Sequence, residues 1–149
     1  MIIKEVNLND SEDIFKWRNN LDTRLMAKNS KEIKKSTHDK WFKERIVDDN
    51  CFFYLGINQK VKIGVVRFDC DAKNKKSEVS INMNPAERGK QLSAFFLQKC
   101  IDKFLQINKF SLYSTIKKNN YASQKIFLKC NFKFFESNKS YDYYILRVV

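Results

Sequence analysis

Three strand-like runs, Cys51–Asn58, Val61–Cys70 and Ser77–Met83, follow one another through the middle of the chain, and a long apolar stretch, Lys90–Leu105, comes after them. The first two runs join at Asn58-Gln59-Lys60, so the three read as an antiparallel meander. At Asn84-Pro85 the period of two gives way to a helical one, which predicts a turn and then a buried helix. Before the meander lie a short strand at Met1–Val6, a helix near Ser11–Asn19 with Asn9 and Glu12 at capping-box spacing, and a second helix through about Val47 whose start carries the same signal at Ser36-Thr37-His38-Asp39. After the long helix come a strand at Ser111–Ile116, a helix near Tyr121–Cys130, and strands near Phe132–Glu136 and Tyr141–Val149. The pattern is α+β. With one Pro, three Gly and no linker or repeat, residues 1–149 read as a single domain, and 13 Phe within 43% apolar residues suffice for its core.

Composition narrows the function. No run of about 18 apolar residues occurs, and the start, MIIKEVNLNDSEDIF, is polar almost at once. The expectation is a soluble cytoplasmic protein, neither secreted nor membrane-spanning. Cys51, Cys70, Cys100 and Cys130 form no CxxC pair and have a single His for company, which argues against a metal and for free thiols in a reducing compartment. A net charge of +12 favours an anionic partner. The lysines do not cluster with exposed aromatics as a single-strand binder requires, so a phosphorylated ligand is favoured over nucleic acid.

Two segments carry chemistry. In Ser77–Ser93 a strand runs through a basic turn into a helix start, where unpaired N–H groups and the dipole can hold a pyrophosphate with Arg88 and Lys90 adding charge. A basic turn that merely caps a core helix is the alternative. Along the strand, Glu78, Ser80 and Asn82 alternate with Val79, Ile81 and Met83, placing the polar set on one face. Glu78 is the leading candidate base, or else a strand-edge acid paired with a lysine. In the second segment Asn120, Ser123 and Phe127 share a helix face, and Asn120 can serve as a simple helix cap. His38, the only histidine, titrates nearest pH 7 and is the second candidate base, although its place before Trp41 and Phe42 also suits a packed residue.

These segments resemble the GNAT superfamily of acyl-CoA-dependent acyltransferases, as does the order of elements over essentially the whole chain. Its acyl-CoA signature is Arg or Gln, two residues, Gly, one residue, then Gly or Ala; here Arg88 fits, Gln91 stands at the Gly and Ser93 at the small position. Asn120–Phe132 resembles the second signature, with Phe127 where many relatives place a proton-donating Tyr and Asn131 where Gly is usual. The resemblance implies a mixed, mostly antiparallel sheet flanked by about four helices, with acetyl-CoA as co-substrate and no metal. It also implies that the backbone at Ile81, Asn82 and Met83 grips the pantetheine, that Arg88, Gly89, Lys90, Gln91, Leu92 and Ser93 hold the pyrophosphate, and that Asn120 contacts the pantetheine arm.

Glu78 then takes the acceptor's proton through water, and Ser123, Tyr121 or water stands in for the missing Tyr. No Cys pairs with the His, so the amine attacks the thioester directly in a ternary complex. Trp17, Arg18 and Asn19 would border the acceptor pocket with Met26. Trp17-Arg18-Asn19 and His38-x-x-Trp41-Phe42 also resemble a branch that includes amino-sugar nucleotide and ribosomal-protein alanine N-acetyltransferases. The implied activity is acetyl transfer to a primary amine of a small molecule, an amino-sugar nucleotide among the candidates, by a monomer or homodimer. A protein N-terminal acetyltransferase and a non-catalytic CoA-binding regulatory module are the alternatives.

Overall fold

The computed structural model describes residues 1–148. Its order is β1 (Ile2–Glu5), α1 (Ser11–Asn19), α2 (Leu21–Met26), α3 (Lys35–Ile46), β2 (Cys51–Asn58), β3 (Val61–Asp71), β4 (Lys76–Met83), α4 (Ser93–Ile107), β5 (Ser111–Lys117), α5 (Tyr121–Lys129), β6 (Lys133–Ser137) and β7 (Tyr141–Leu146). The expected α+β class stands. The strands form one seven-stranded sheet in the order β1-β2-β3-β4-β5-β7-β6, antiparallel everywhere except between β4 and β5. That single parallel pair follows from α4, which carries the chain back across the sheet.

Alternating side chains divide the core between the two faces. On one face Phe53, Leu55 and Val65 pack with Val6, Ile14 and Trp17 and with Phe42 of α3. On the other, Tyr54, Val66, Phe68 and Val79 meet Phe96, Leu97, Cys100, Ile101 and Phe104 of α4 and Phe127 of α5. Phe68 stacks on Phe104 with centroids 4.3 Å apart. Aromatic pairs of this kind add to plain area burial.

Several boundaries differ from the sequence reading. The capping box at the first helix uses Asn7 and Asp10, not Asn9 and Glu12: Asn7 Oδ1 accepts the Asn9 N–H at 2.9 Å and Asp10 Oδ2 accepts the Asn7 N–H at 2.9 Å. A 3-10 turn over Leu8–Asp10 runs straight into α1, so the same side-chain spacing acts earlier. The second expected cap, at Ser36, does not form. Helix α3 starts at Lys35, whose ammonium bridges Glu12 and Asp39, making His38 the fourth helical residue instead of the second. Helix α2 buries none of its six residues and so has no periodic apolar signal; it brings the described α-helices to five. Helix α4 begins at Ser93 and not Lys90, because Gly89 and Gln91 take positive φ values of 76° and 58°. The final strand stops at Leu146, and Val149 lies outside the described residues.

Gly56 shows how closely α4 lies on the sheet. A Cβ there would come 2.6 Å from Phe96 Cε1, and the Phe96 ring is fully buried. Gly56→Ala should therefore lower unfolding free energy by about 1–3 kcal/mol in urea titrations. Adding Phe96→Leu to that variant should recover part of the loss.

Candidate active site

Strands β4 and β5 pair only at Lys76–Glu78 with Ser111–Tyr113, although β4 continues to Met83 and β5 to Lys117. Beyond Glu78 they part. Residues 79–83 keep β3 as a partner on one side and open on a cleft on the other. The cleft has a volume of about 610 Å³ and is walled by β4, β5, the start of α5 and the α1–α2 region. Ile81, Asn82 and Met83 line it.

At one end of the cleft lies the turn into α4. Arg88, Gly89 and Ser93 line it, whereas Lys90, Gln91 and Leu92 do not. The Arg88 guanidinium donates to the Asn20 Oδ1 and the Thr23 hydroxyl, which fixes it against α2. Lys90 is neutralised by Glu87, and Leu92 packs against the core beneath α4. Among the described residues no side chain caps the start of α4, so its first N–H groups are of the kind that can receive an anion. Gln91 holds the left-handed backbone that a Gly would adopt without strain.

Glu78, Ser80 and Asn82 share the sheet face covered by α1–α3 and line the cleft. Glu78 pairs with a lysine, the second of its two readings, and keeps a place on the cleft. Its Oε2 accepts from Lys28 Nζ and from the Thr115 hydroxyl, each at 2.9 Å, while the carboxylate remains on the cleft wall. Asn120 likewise does two things: its Oδ1 accepts the Ser123 N–H at 3.2 Å, capping α5, and its side lines the cleft with Ser123 and Phe127. Phe127 is buried and offers no proton. Tyr121 is 67% exposed and off the lining, which leaves Ser123 as the nearer hydroxyl. Asn131 ends α5 with a φ of 68°, the conformation expected for the residue replacing Gly.

The other candidates separate. Arg18 lines the cleft, but Trp17 belongs to the core with Ile14 and Phe42. Asn19 is a clamp on the following loop, exchanging hydrogen bonds of 2.9 and 2.8 Å with the Ile33 backbone. His38 also lies off the cleft, buried between α1 and α3. Its Nε2 sits 3.1 Å from the Ser11 carbonyl, and its Nδ1 is sealed without a partner. Burial raises all four thiols, Cys51 to about 12 and Cys130 to about 11, and none lines the cleft, so no cysteine is a poised nucleophile.

Sequence reasoning missed Lys28, Thr115 and Arg67. Thr115 was within reach, since alternation along Ser111–Lys117 puts it beside Tyr113 and Lys117 on one face. Arg67 faces Ser80 across the β3–β4 ladder, a pairing that follows only from the register. Lys28 meets an acid 50 positions away from a loop without periodicity, and no local signal marks it.

A mostly antiparallel sheet split at one parallel pair, with a helix start at the split, is the architecture of the GNAT fold. The family model of the acetyltransferase (GNAT) domain matches residues 1–133, and the chain belongs to that family. Among solved structures, the Campylobacter jejuni N-acetyltransferase PseH in complex with acetyl coenzyme A is 22% identical, over 98% of this chain and 99% of that one, with a TM-score of 0.75. The spermidine N-acetyltransferase from Vibrio cholerae, in complex with CoA and spermine, is 15% identical over 97% of this chain and 92% of that one, at a TM-score of 0.82. A domain from Methanocaldococcus jannaschii is 22% identical over 99% and 97% of the two chains, at 0.81. These likenesses speak for the fold. No curated protein matches the chain. Among the described residues no His, Cys, Asp or Glu group gathers to hold a metal, and no helix is long and apolar enough to cross a membrane.

Two outcomes follow. Gln91→Gly removes a strain of about 1–2 kcal/mol while freeing the unfolded chain by less, so the urea midpoint should rise slightly and acetyl-CoA, measured by calorimetric titration, should bind more tightly. His38 gives a pH dependence. Burial pushes its pKa below the ordinary histidine value; the Ser11 carbonyl opposes that shift and Lys35 reinforces it. Its contribution is therefore complete above about pH 6.5 and is lost as pH falls through the lower folded value. Between pH 8 and pH 5 the wild type should lose more stability than His38→Gln, read from the two denaturant midpoints.

Proposed function

We propose that this chain transfers the acetyl group of acetyl-CoA to the primary amine of a small molecule, with amino-sugar nucleotides among the acceptors to be tried. The observation that carries the reading is the parting of β4 from β5 beside the uncapped start of α4, with the polar face of β4 on the cleft. Family membership supports the reaction class. Both neighbours with bound ligands hold acetyl coenzyme A or CoA, which supports the co-substrate.

The residues present fit that co-substrate. Its pyrophosphate matches the N–H groups at the start of α4, with Arg88 already held in place and Gly89 leaving the turn open. Its extended arm matches the free edge of β4 at Ile81–Met83, where backbone groups have no strand partner. When bound, acetyl-CoA supplies an activated acetyl thioester. Backbone N–H groups of that edge polarise the reacting carbonyl. Glu78, held by Thr115, accepts a proton from the incoming ammonium directly or through water, which gives the neutral nucleophile the reaction needs. The departing sulfur needs little help, since a thiolate is a good leaving group near neutral pH, and the Ser123 hydroxyl or water can reprotonate it.

An acceptor screen tests the reading: thiol release from acetyl-CoA in the presence of amino-sugar nucleotides, polyamines and N-terminal peptides. Glu78→Gln keeps the Thr115 bond and removes the basicity. Turnover should drop by about a hundred- to ten-thousand-fold with acetyl-CoA affinity little changed. The deficit should narrow as pH rises and free amine becomes abundant. Near-full turnover by this variant at neutral pH would remove Glu78 from the mechanism.

A further inference from the structure

At the wall of the cleft formed by α1 and β3, two arginines gather on one aromatic ring. The Arg18 guanidinium carbon lies 5.7 Å from the Trp41 ring centroid and that of Arg67 lies 5.0 Å from it, with Arg67 also 5.8 Å from the Phe53 centroid. All four side chains line the cleft. Arg67 donates from Nε to Asp69 Oδ2 at 2.9 Å. Arg18 has no ion pair and no hydrogen bond among the described residues; its ring contact is its sole defined polar interaction. Its nitrogens also differ from the Nε atoms of Arg24 and Arg45, which are sealed in the interior without partners, and so remain open to a ligand. Burial and the neighbouring charge of Arg67 both disfavour the Arg18 cation.

Two like charges therefore face one cleft, and of the two Arg67 alone has a carboxylate partner, Asp69. The remaining acids do not correct the imbalance. Glu78 is already answered by Lys28, and Asp22, on the α2 side of the lining, bonds to neither arginine. Flat, rigid guanidinium groups fixed on an aromatic face are suited to binding an oxyanion by paired N–H bonds, and they repel a polycation. This cluster is separate from Arg88, which α2 holds at the turn into α4.

We infer that the acceptor amine carries an oxyanion, a phosphate or a carboxylate, and that Arg18 and Arg67 bind it on the Trp41 wall of the cleft. The inference rests on reading the cleft as an acetyl-transfer site and narrows its acceptor class. The fold by itself does not decide this, because the Vibrio cholerae enzyme of the same fold holds spermine.

The test uses four probes on the full chain: glucosamine 6-phosphate, the C6 carboxylate analogue of glucosamine, glucosamine itself and spermidine. CoA is first added to saturation, so that Arg88 and the α4 start are occupied, and binding of each probe is then followed by tryptophan emission. Parallel assays with acetyl-CoA give kcat and KM. The anionic probes should bind on the order of ten- to a hundredfold more tightly than glucosamine, with spermidine weakest. The phosphate and carboxylate arms tell the two sources apart.

Arg18→Gln should abolish the preference through KM while melting temperature and CoA affinity stay the same, a split that a merely structural arginine would not produce. Arg67→Gln should act in the same direction. Equal binding of the four probes, no binding at all, a preference for spermidine, or a preference that survives both substitutions would overturn the inference. Acetylation of glucosamine and spermidine without preference would do so while leaving the acetyl-transfer reading intact. Preferred anion binding with no acetylation of any probe would uphold the clamp and count against that reading.

Discussion

The structure depends on how few residues join β4 to β5. Three paired positions suffice to make one sheet of seven strands, and everything past Glu78 is released to diverge. A longer ladder would have closed the cleft; a shorter one would have left β1–β4 and β5–β7 as two sheets sharing only helices. The parting also leaves the β4 backbone with hydrogen-bonding groups that no strand satisfies. Exposed edges of this kind invite an extended partner, and here the free edge lies along the wall of the cleft.

Holding the split open falls to the helices. On one face α4 is fixed by five buried residues spaced along its length and by the fit of Phe96 over Gly56. On the other, α1 is tied to the strands through Asp10, a buried carboxylate bonded to Lys4, Lys62 and the Asn7 N–H. Burial alone would raise that carboxyl, but the three bonds hold it below its usual value. The site is thus carried by elements whose own attachments lie outside it.

Much of this was legible in the sequence because it rests on short periods. The meander, the long helix and the polar face of β4 follow from alternation and helical spacing, and Asn131 announced its left-handed turn. Features that depend on backbone conformation were displaced by a few residues. The start of α4 moved because Gln91 adopts a φ that propensity assigns to Gly, and the first cap moved because a 3-10 turn precedes α1. Side chains joined only by folding escaped the reading: Lys28 with Glu78, and Arg18 and Arg67 with Trp41. Trp17 and His38 attracted attention by residue type, and the structure explains both as packing.

The contact between Lys28 and Glu78 gives the cleft an internal competitor. Any cation arriving at that carboxylate must first dislodge an ammonium supplied by the chain itself. Lys28 is 53% exposed, so the pair contributes under about 1 kcal/mol and yields readily. Even so, it lowers the return from positive charge alone, since each incoming cation replaces an equivalent one. Recognition of the guest is shifted onto the parts of the molecule that Lys28 cannot imitate.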